Sequence, residues 1–430
     1  MPALETRQEH TGSYYAATSR YPEHYPTLED SLDADICVVG AGFTGVSTAL
    51  TLAERGYSVA LVEANRVGWG ASGRNGGQLI HGFSKDYKLL DIMGEDFAQD
   101  LYHLAWRGHE IVFDRVERYG IDCDLSEGFL EVATKDSQIP WLETQAETLA
   151  RFGHPYEYRM LDHGQTGELI GTEAYRGGLL TMRNGHLHSL NLCQGEAKAA
   201  AGLGARIFEM SPVTRIEHGK RPRVITDTGS VTADHVVLAG NAYHRLEQKH
   251  LSGTVFPAGS YIIATEPLSE RVLAKINPMK LAVCDANEIV DYYRTTLDGR
   301  MLYGGRCNYS GRDPRDITAS ILPRMLAVYP QLADANIEFE WGGKIGIVLN
   351  RIPMLGRIEG NVYYVQGYSG HGVNATHIMS EIAADAICGT SETFDVFAKI
   401  KHLRIPGSQW AGNQMLAMGM LYYRLKDWLS

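Results

Sequence analysis

The chain of 430 residues is long enough for two or three folding units of roughly 150 residues each, with a core that needs no disulfides. Its 40 basic and 51 acidic residues leave a net charge of −11, which excludes a sequence-independent grip on nucleic-acid phosphate as its main task. Hydrophobic residues at 44% and charged residues at 21% exclude wholesale disorder, a collagen-like repeat and a membrane transporter.

Residues 1–34 form a polar, tyrosine-rich extension without the apolar stretch of a secretory signal. Cys37, Cys123, Cys193, Cys284, Cys307 and Cys388 lie far apart with no CxxC pair, so free thiols are expected and neither a disulfide framework nor a zinc site. No long apolar run suggests a membrane span. A cytoplasmic protein is the expectation.

From Asp35, DICVVG reads as a short buried strand, ALTLAERG as a helix closed by Gly56, and SVALVE as a second strand ending on Glu63. The strand-to-helix loop is Gly40-Ala41-Gly42-Phe43-Thr44-Gly45, a GxGxxG inside a βαβ unit with an acid 18 positions beyond Gly45. That context predicts dinucleotide binding: tight turn at Gly40, close backbone approach at Gly42, helix against strand at Gly45, and ribose hydroxyls on Glu63. Residues 68–78, GWGASGRNGGQ, are too rich in glycine and polar residues for a regular element. They offer backbone amides, with Arg74, Asn75 and Gln78 interleaved, to something large and flat.

Asn191 to Leu203 reads as a helix with Ser189 or Asn191 as its cap and Gly204 as its stop. ARIFEM and SPVTRIE follow as strands. VITDTGSVTADHVVLAG reads as a hairpin turning at Asp227-Thr228-Gly229 and ending in a buried strand before Gly240. Residues 85–146 and 251–347 do not fit the dinucleotide pattern; the second stretch holds alternating strands and an Asp298-Gly299 turn, and an inserted β-rich domain is expected. His186 and His188 lack the further spaced ligands of a metal site, so a loop role is expected. The run 414–429 carries Met415, Met418, Tyr422, Leu425 and Leu429 at helical spacing and is expected as a docked helix.

With GAGFTG at 40–45, Glu63, GWGASGRNGGQ at 68–78, GGLLTMRNGHLHSLNL at 177–192, LAGNAY at 238–243, DYYRTTLDGRMLYGG at 291–305 and GYSGHGV at 367–373, the chain resembles the D-amino-acid oxidase/sarcosine oxidase group of FAD-dependent amine oxidoreductases. The resemblance implies an α/β fold: a Rossmann-like FAD-binding domain of the glutathione-reductase type (35–84, 147–250 and 348–430) with an interleaved β-rich substrate domain (85–146 and 251–347). By resemblance, Gly40, Gly42, Phe43, Thr44 and Gly45 meet the FAD pyrophosphate and Glu63 the ribose. Ser72, Arg74, Asn75, Gly76, Gly77 and Gln78 line the middle of the flavin, Val213 meets adenine, and Gly240 closes a late strand of the sheet. Gly370, His371, Gly372 and Val373 face the pyrimidine edge, where a helix N-terminus stabilises negative charge on reduced flavin. Sarcosine oxidases attach flavin to a cysteine before the final glycine motif. WGGKIGIVL at 341–349 holds none, so the FAD is expected to be noncovalent.

Within the group, SYYAAT and DYYR tilt the resemblance toward bacterial oxidases of gamma-glutamylputrescine. That implies a primary amine as substrate, oxygen as acceptor, and ammonia, an aldehyde and hydrogen peroxide as products. Another amine, an N-methyl or D-amino acid, or a flavoprotein passing electrons to a partner are the alternatives, and the oligomeric state is left open. Arg294, Arg306 and Arg351 are candidates for a carboxylate clamp. Tyr292 and Tyr293 alternate along a strand, so one faces the pocket and the other the core. His371 either tunes the flavin or holds a loop hydrogen bond. Lys344 is a candidate for promoting oxygen reduction.

Overall fold

The structure, a computed structural model, describes residues 6–308, 313–405 and 414. The predicted helix over 414–429 lies outside the described residues, except for Gln414. Two large sheets organise the chain.

The first sheet runs Met354–Ile358, Val362–Gln366, Ser230–Leu238, Ser31–Val39, Val59–Val62, Arg206–Phe208. Neighbours from Val362–Gln366 onward are parallel. The predicted hairpin is present, with Arg223–Ile225 pairing antiparallel with Ser230–Leu238. Central strands covered on both faces read as continuous apolar runs such as Ile36 to Val39. Because the strands are parallel, Val39, Val62, Leu238 and Gln366 all end on one edge, and the loops that follow them gather there.

The helix that follows the first glycine loop is longer than its periodicity suggests, Phe43–Glu54. Phe43 to Ala53 are all buried, so no polar face marks its first turns. Together with Ser189–Gly202 and Val373–Ile387 it builds the largest apolar core. The cap of Ser189–Gly202 is neither Ser189 nor Asn191: His188 takes that role, its Nδ1 accepting from the Asn191 N–H at 3.1 Å.

The second sheet runs Ile337–Ile347, Phe256–Thr265, Met301–Asn308, Tyr292–Thr295, Ala282–Asp285, Ser126–Ala133, Gly177–His186, Gln78–Leu79. Its strands come from more of the chain than 85–146 and 251–347: Gln78–Leu79, from the 35–84 stretch, forms its last strand. Tyr158–Leu161 and Gly177–His186, inside the 147–250 stretch, belong to this sheet. The 85–146 stretch has one strand in this sheet and is otherwise mostly helical, and its long helix Ala98–Tyr119 packs on Val373–Ile387 and Ser189–Gly202 of the first half. The chain crosses between the halves repeatedly, and an amphipathic period does not say which layer receives its apolar face. No helix among the described residues is long and apolar enough to cross a membrane.

Candidate active site

A single cavity of 1520 Å³ runs from the carboxyl edge of the first sheet to the face of the second. Gly40, Gly42, Phe43, Thr44, Glu63, Val213 and Gly240 line one end. Ser72, Arg74, Asn75, Gly76 and Gln78 line its middle, and Gly370 to Val373 approach from a third side. Three glycine-rich loops, distant in sequence, thus meet at one space.

At the first end, a Cβ on Gly45 would lie 1.8 Å from the Gly40 carbonyl oxygen, so only glycine lets helix and strand approach this closely. Gly45 itself is absent from the cavity wall; its part is packing. Phe43–Glu54 begins at Gly42 with no side-chain cap, which leaves first-turn amides and the positive helix end for an anionic ligand. The Phe43 N–H reaches Ser72 Oγ at 2.8 Å. Glu63 accepts from the Ala41 N–H at 2.6 Å and the Asn65 N–H at 2.9 Å. Burial raises its carboxyl above the usual range against the pull of these amides.

In the middle, Asn75 knits its own loop. Its amide donates to Ala71 O at 3.1 Å and Ser72 O at 2.8 Å, while Oδ1 accepts from the Gly77 N–H at 2.8 Å and from Ser189 Oγ at 2.7 Å. Gln78 donates to Val283 O at 2.9 Å. Arg74 donates to Trp69 O at 2.7 Å and lies over the Trp69 ring at 4.3 Å. Gly77 packs behind the wall, its carbonyl accepting from the Leu187 N–H at 2.7 Å.

Arg294, a clamp candidate, is corrected by its surroundings. It is buried and outside the cavity wall, donating to Gly76 O at 2.9 Å, Leu187 O at 3.1 Å and Tyr15 Oη at 3.0 Å. Its guanidinium fixes the Gly76-Gly77 backbone from behind. Arg351 does line the cavity. Arg306 lies on Met301–Asn308, but its side chain falls outside the described residues. Tyr292 lines the cavity; Tyr293, on the opposite face, is buried and stacked on Tyr303 at 5.4 Å between centroids.

His371 lines the cavity and points Nε2 at two carbonyls, His81 O at 2.9 Å and Ile80 O at 3.2 Å. Both accept, so Nε2 carries the hydrogen, and burial holds the ring below the usual imidazole range. The geometry supports a loop-holding role. Gly372 caps Val373–Ile387 without a side-chain bond, so a second helix N-terminus opens on the same cavity. On Ile337–Ile347, Gly343 and Ile345 line the cavity and the intervening Lys344 does not. Its N–H donates to Tyr243 Oη at 2.8 Å.

His186 and His188 are buried, with Nε2 contacts to Lys280 O at 2.7 Å and Thr18 Oγ1 at 3.0 Å respectively. No group of three metal-ligating side chains gathers among the described residues. Sequence reasoning missed several wall residues. Asn241 accepts from the Gly367 N–H at 3.0 Å, and LAGNAY marked its loop without marking its side chain. Tyr368 shares a hydroxyl contact at 2.7 Å with the expected Thr44, tying the first and last glycine loops. Glu131 and Asp285, on neighbouring strands of the second sheet, gave no local signal at all.

Two uncapped helix N-termini, an acid held beside the glycine turn and one long cavity are the donor set and shape that FAD requires. An FAD dependent oxidoreductase family model matches residues 35–386. The chain is 42% identical over 425 residues to gamma-glutamylputrescine oxidoreductase of Escherichia coli K12, covering 98% of this chain and 99% of that protein. It is 37% identical to a probable oxidoreductase of Haemophilus influenzae, covering 98% of each. Among solved structures, glycine oxidase from Geobacillus kaustophilus superposes with a TM-score of 0.72 at 21% identity, over 86% of this chain and 99% of that one.

Proposed function

The chain belongs to the FAD-dependent oxidoreductase family, and from that premise we propose that it oxidises the primary amine of gamma-glutamylputrescine. The reading is carried by the near full-length similarity to the Escherichia coli gamma-glutamylputrescine oxidoreductase, which spans the strands of the second sheet as well as the cofactor loops. The amine loses two electrons and two hydrogens, one from its carbon and one from its nitrogen, to give an imine; water releases ammonia and the aldehyde, and oxygen takes the two electrons with two protons as hydrogen peroxide.

Bound FAD supplies the two-electron acceptor for this chemistry. Gly40, Gly42 and the Phe43–Glu54 N-terminus would hold its pyrophosphate, Glu63 its ribose, and the Gly370 to Val373 turn its pyrimidine edge. The chain's remaining task is positioning, because an amine carbon at near-attack distance needs little further help. Tyr292 forms a wall for the polymethylene chain. Arg351 is the clamp candidate with access to the cavity. His371 holds the 80–81 backbone.

The test is an amine panel with peroxide readout, including gamma-glutamylputrescine, putrescine, N-methyl and D-amino acids. Oxidation of gamma-glutamylputrescine above the others is expected, and no turnover of it overturns the reading. Anaerobic reduction followed by air separates oxygen from another acceptor: rapid return of the yellow colour with peroxide is expected. Acid precipitation should leave the FAD in the supernatant, and yellow precipitate would show a covalent bond.

A further inference from the structure

The wall of the cavity is mostly satisfied. Glu63 and Asp86 accept from backbone N–H groups, the latter from Phe83 at 2.7 Å. Asp227 pairs with Arg7 at 2.7 Å, Asp285 accepts from the Asn287 amide at 2.8 Å, and Glu288 lies 3.9 Å from Lys85 Nζ. Glu131 differs: its carboxylate has no hydrogen bond or ion pair among the described residues.

Its position is set by register. Tyr292 pairs with Cys284, Cys284 with Glu131, and Glu131 with Leu179, so these four stand in one row across the sheet, about 4.8 Å apart from strand to strand. All four line the cavity. Tyr292 lies against Gly76, where an added Cβ would fall 2.4 Å from its ring. The row therefore starts at the loop that backs the flavin's middle and carries Glu131 two strands further on. Phe129, two residues earlier on the same strand, is also in the wall, and an aromatic face favours a cation beside it. Burial first, and then repulsion from Asp285, push the Glu131 carboxyl up to about 8 against the pull of Lys85. A desolvated acid without a partner is costly to keep, and an incoming ammonium relieves that cost.

We propose that Glu131 is the ammonium-recognition residue of the cavity, binding a positively charged amino group of the substrate. This rests on the amine reading above and deepens it by naming what selects amines. Gamma-glutamylputrescine offers two such groups, the amine to be oxidised and the glutamyl α-ammonium.

The test uses the FAD-loaded enzyme and tert-butylammonium, which has no hydrogen on its amine carbon and cannot be oxidised, with flavin absorbance as readout. Wild type should bind it at least about 10-fold more tightly than neutral tert-butanol. Glu131→Gln should weaken the cation roughly 10- to 100-fold, the range of a charge-assisted hydrogen bond, and leave tert-butanol unchanged. Wild type that does not prefer the cation overturns the proposal, and this arm needs no variant to fold. So does Glu131→Gln binding tert-butylammonium as wild type does. With gamma-glutamylputrescine and its α-N-acetyl analogue, a Glu131→Gln penalty confined to the former assigns the α-ammonium; a penalty on both assigns the reacting amine. If the probe result holds while gamma-glutamylputrescine is not oxidised, the substrate reading fails and the ammonium site stands.

Discussion

The two ends of the cavity are built on opposite principles. At the cofactor end, recognition is by backbone, and a saturated buried network stands behind it. Arg115 Nη1 donates to Glu196 at 2.9 Å and Ser47 Oγ at 2.8 Å, and its Nη2 to Thr51 Oγ1 at 2.7 Å. His377 faces Glu196 at 3.1 Å through Nε2 and Val373 O at 2.6 Å through Nδ1. This network joins Phe43–Glu54, Ala98–Tyr119, Ser189–Gly202 and Val373–Ile387, which include both helices whose N-termini open on the cavity. At the far end, side chains from separate strands form the wall, and Glu131 has no hydrogen bond or ion pair among the described residues. A fixed ligand is met by rigid, pre-organised amides, whereas a substrate that must leave is met by groups it alone completes.

If that contrast is right, the largest losses come from the cofactor end. Gly45→Ala places a Cβ against the Gly40 carbonyl oxygen, where neither strand nor helix has room to yield. It should cost about 3–5 kcal/mol and give protein that purifies without yellow colour. Full FAD content in this variant would break the comparison.

Glu196→Gln comes next. Burial opposes ionisation of Glu196, but His377 and Arg115 outweigh it and hold the carboxylate below its usual range. Neutralising it removes the carboxylate that Arg115 Nη1 and His377 Nε2 both face and leaves the buried guanidinium with the more distant Glu54 at 3.8 Å, at a cost of about 3 kcal/mol or more. A lower denaturation midpoint with weaker FAD retention is expected, while the KM of whatever FAD-loaded enzyme remains should be unchanged.

Arg294 and Arg351 sharpen the boundary between the ends. Arg294→Met should loosen the Gly76-Gly77 loop, costing about 2 kcal/mol, and affect substrates with and without a carboxylate alike. Arg351→Met should raise KM roughly 10- to 100-fold for gamma-glutamylputrescine and leave putrescine unchanged. A carboxylate-selective loss in Arg294→Met would reverse the assignment.

The same contrast explains what could be read from sequence. GAGFTG, Glu63 and GYSGHG are local: each reaches the cavity wall from within a few residues, so the motif and the wall coincide. The Tyr292, Cys284, Glu131 and Leu179 row exists only once four strands pair, one of those pairings being the parallel match of Ala282–Asp285 with Ser126–Ala133. No spacing along the chain encodes it. Arg294 was misleading for a related reason: DYYR gives its strand position, but the carbonyls of Gly76 and Leu187 that engage it come from other elements. Of Tyr292 and Tyr293, alternation supplied the split between faces, and only the packing of Tyr303 and Tyr329 around Tyr293 decides which faces inward.

The smallest effect is expected at Lys344, whose charge near flavin would promote electron transfer to oxygen if the side chain entered the cavity. Strand alternation argues against that. Gly343 and Ile345 present to the cavity, Lys344 falls between them outside the wall, and its backbone N–H bonds Tyr243 Oη. Methionine keeps the stem and that N–H. Lys344→Met should therefore change the rate of reoxidation by oxygen by less than about 2-fold, a transition-state difference below about 0.4 kcal/mol. Stopped-flow mixing of the reduced enzyme with oxygen measures it directly. A drop of 100-fold or more would place a cation at the flavin after all and would make the cofactor end, too, dependent on an inserted side chain.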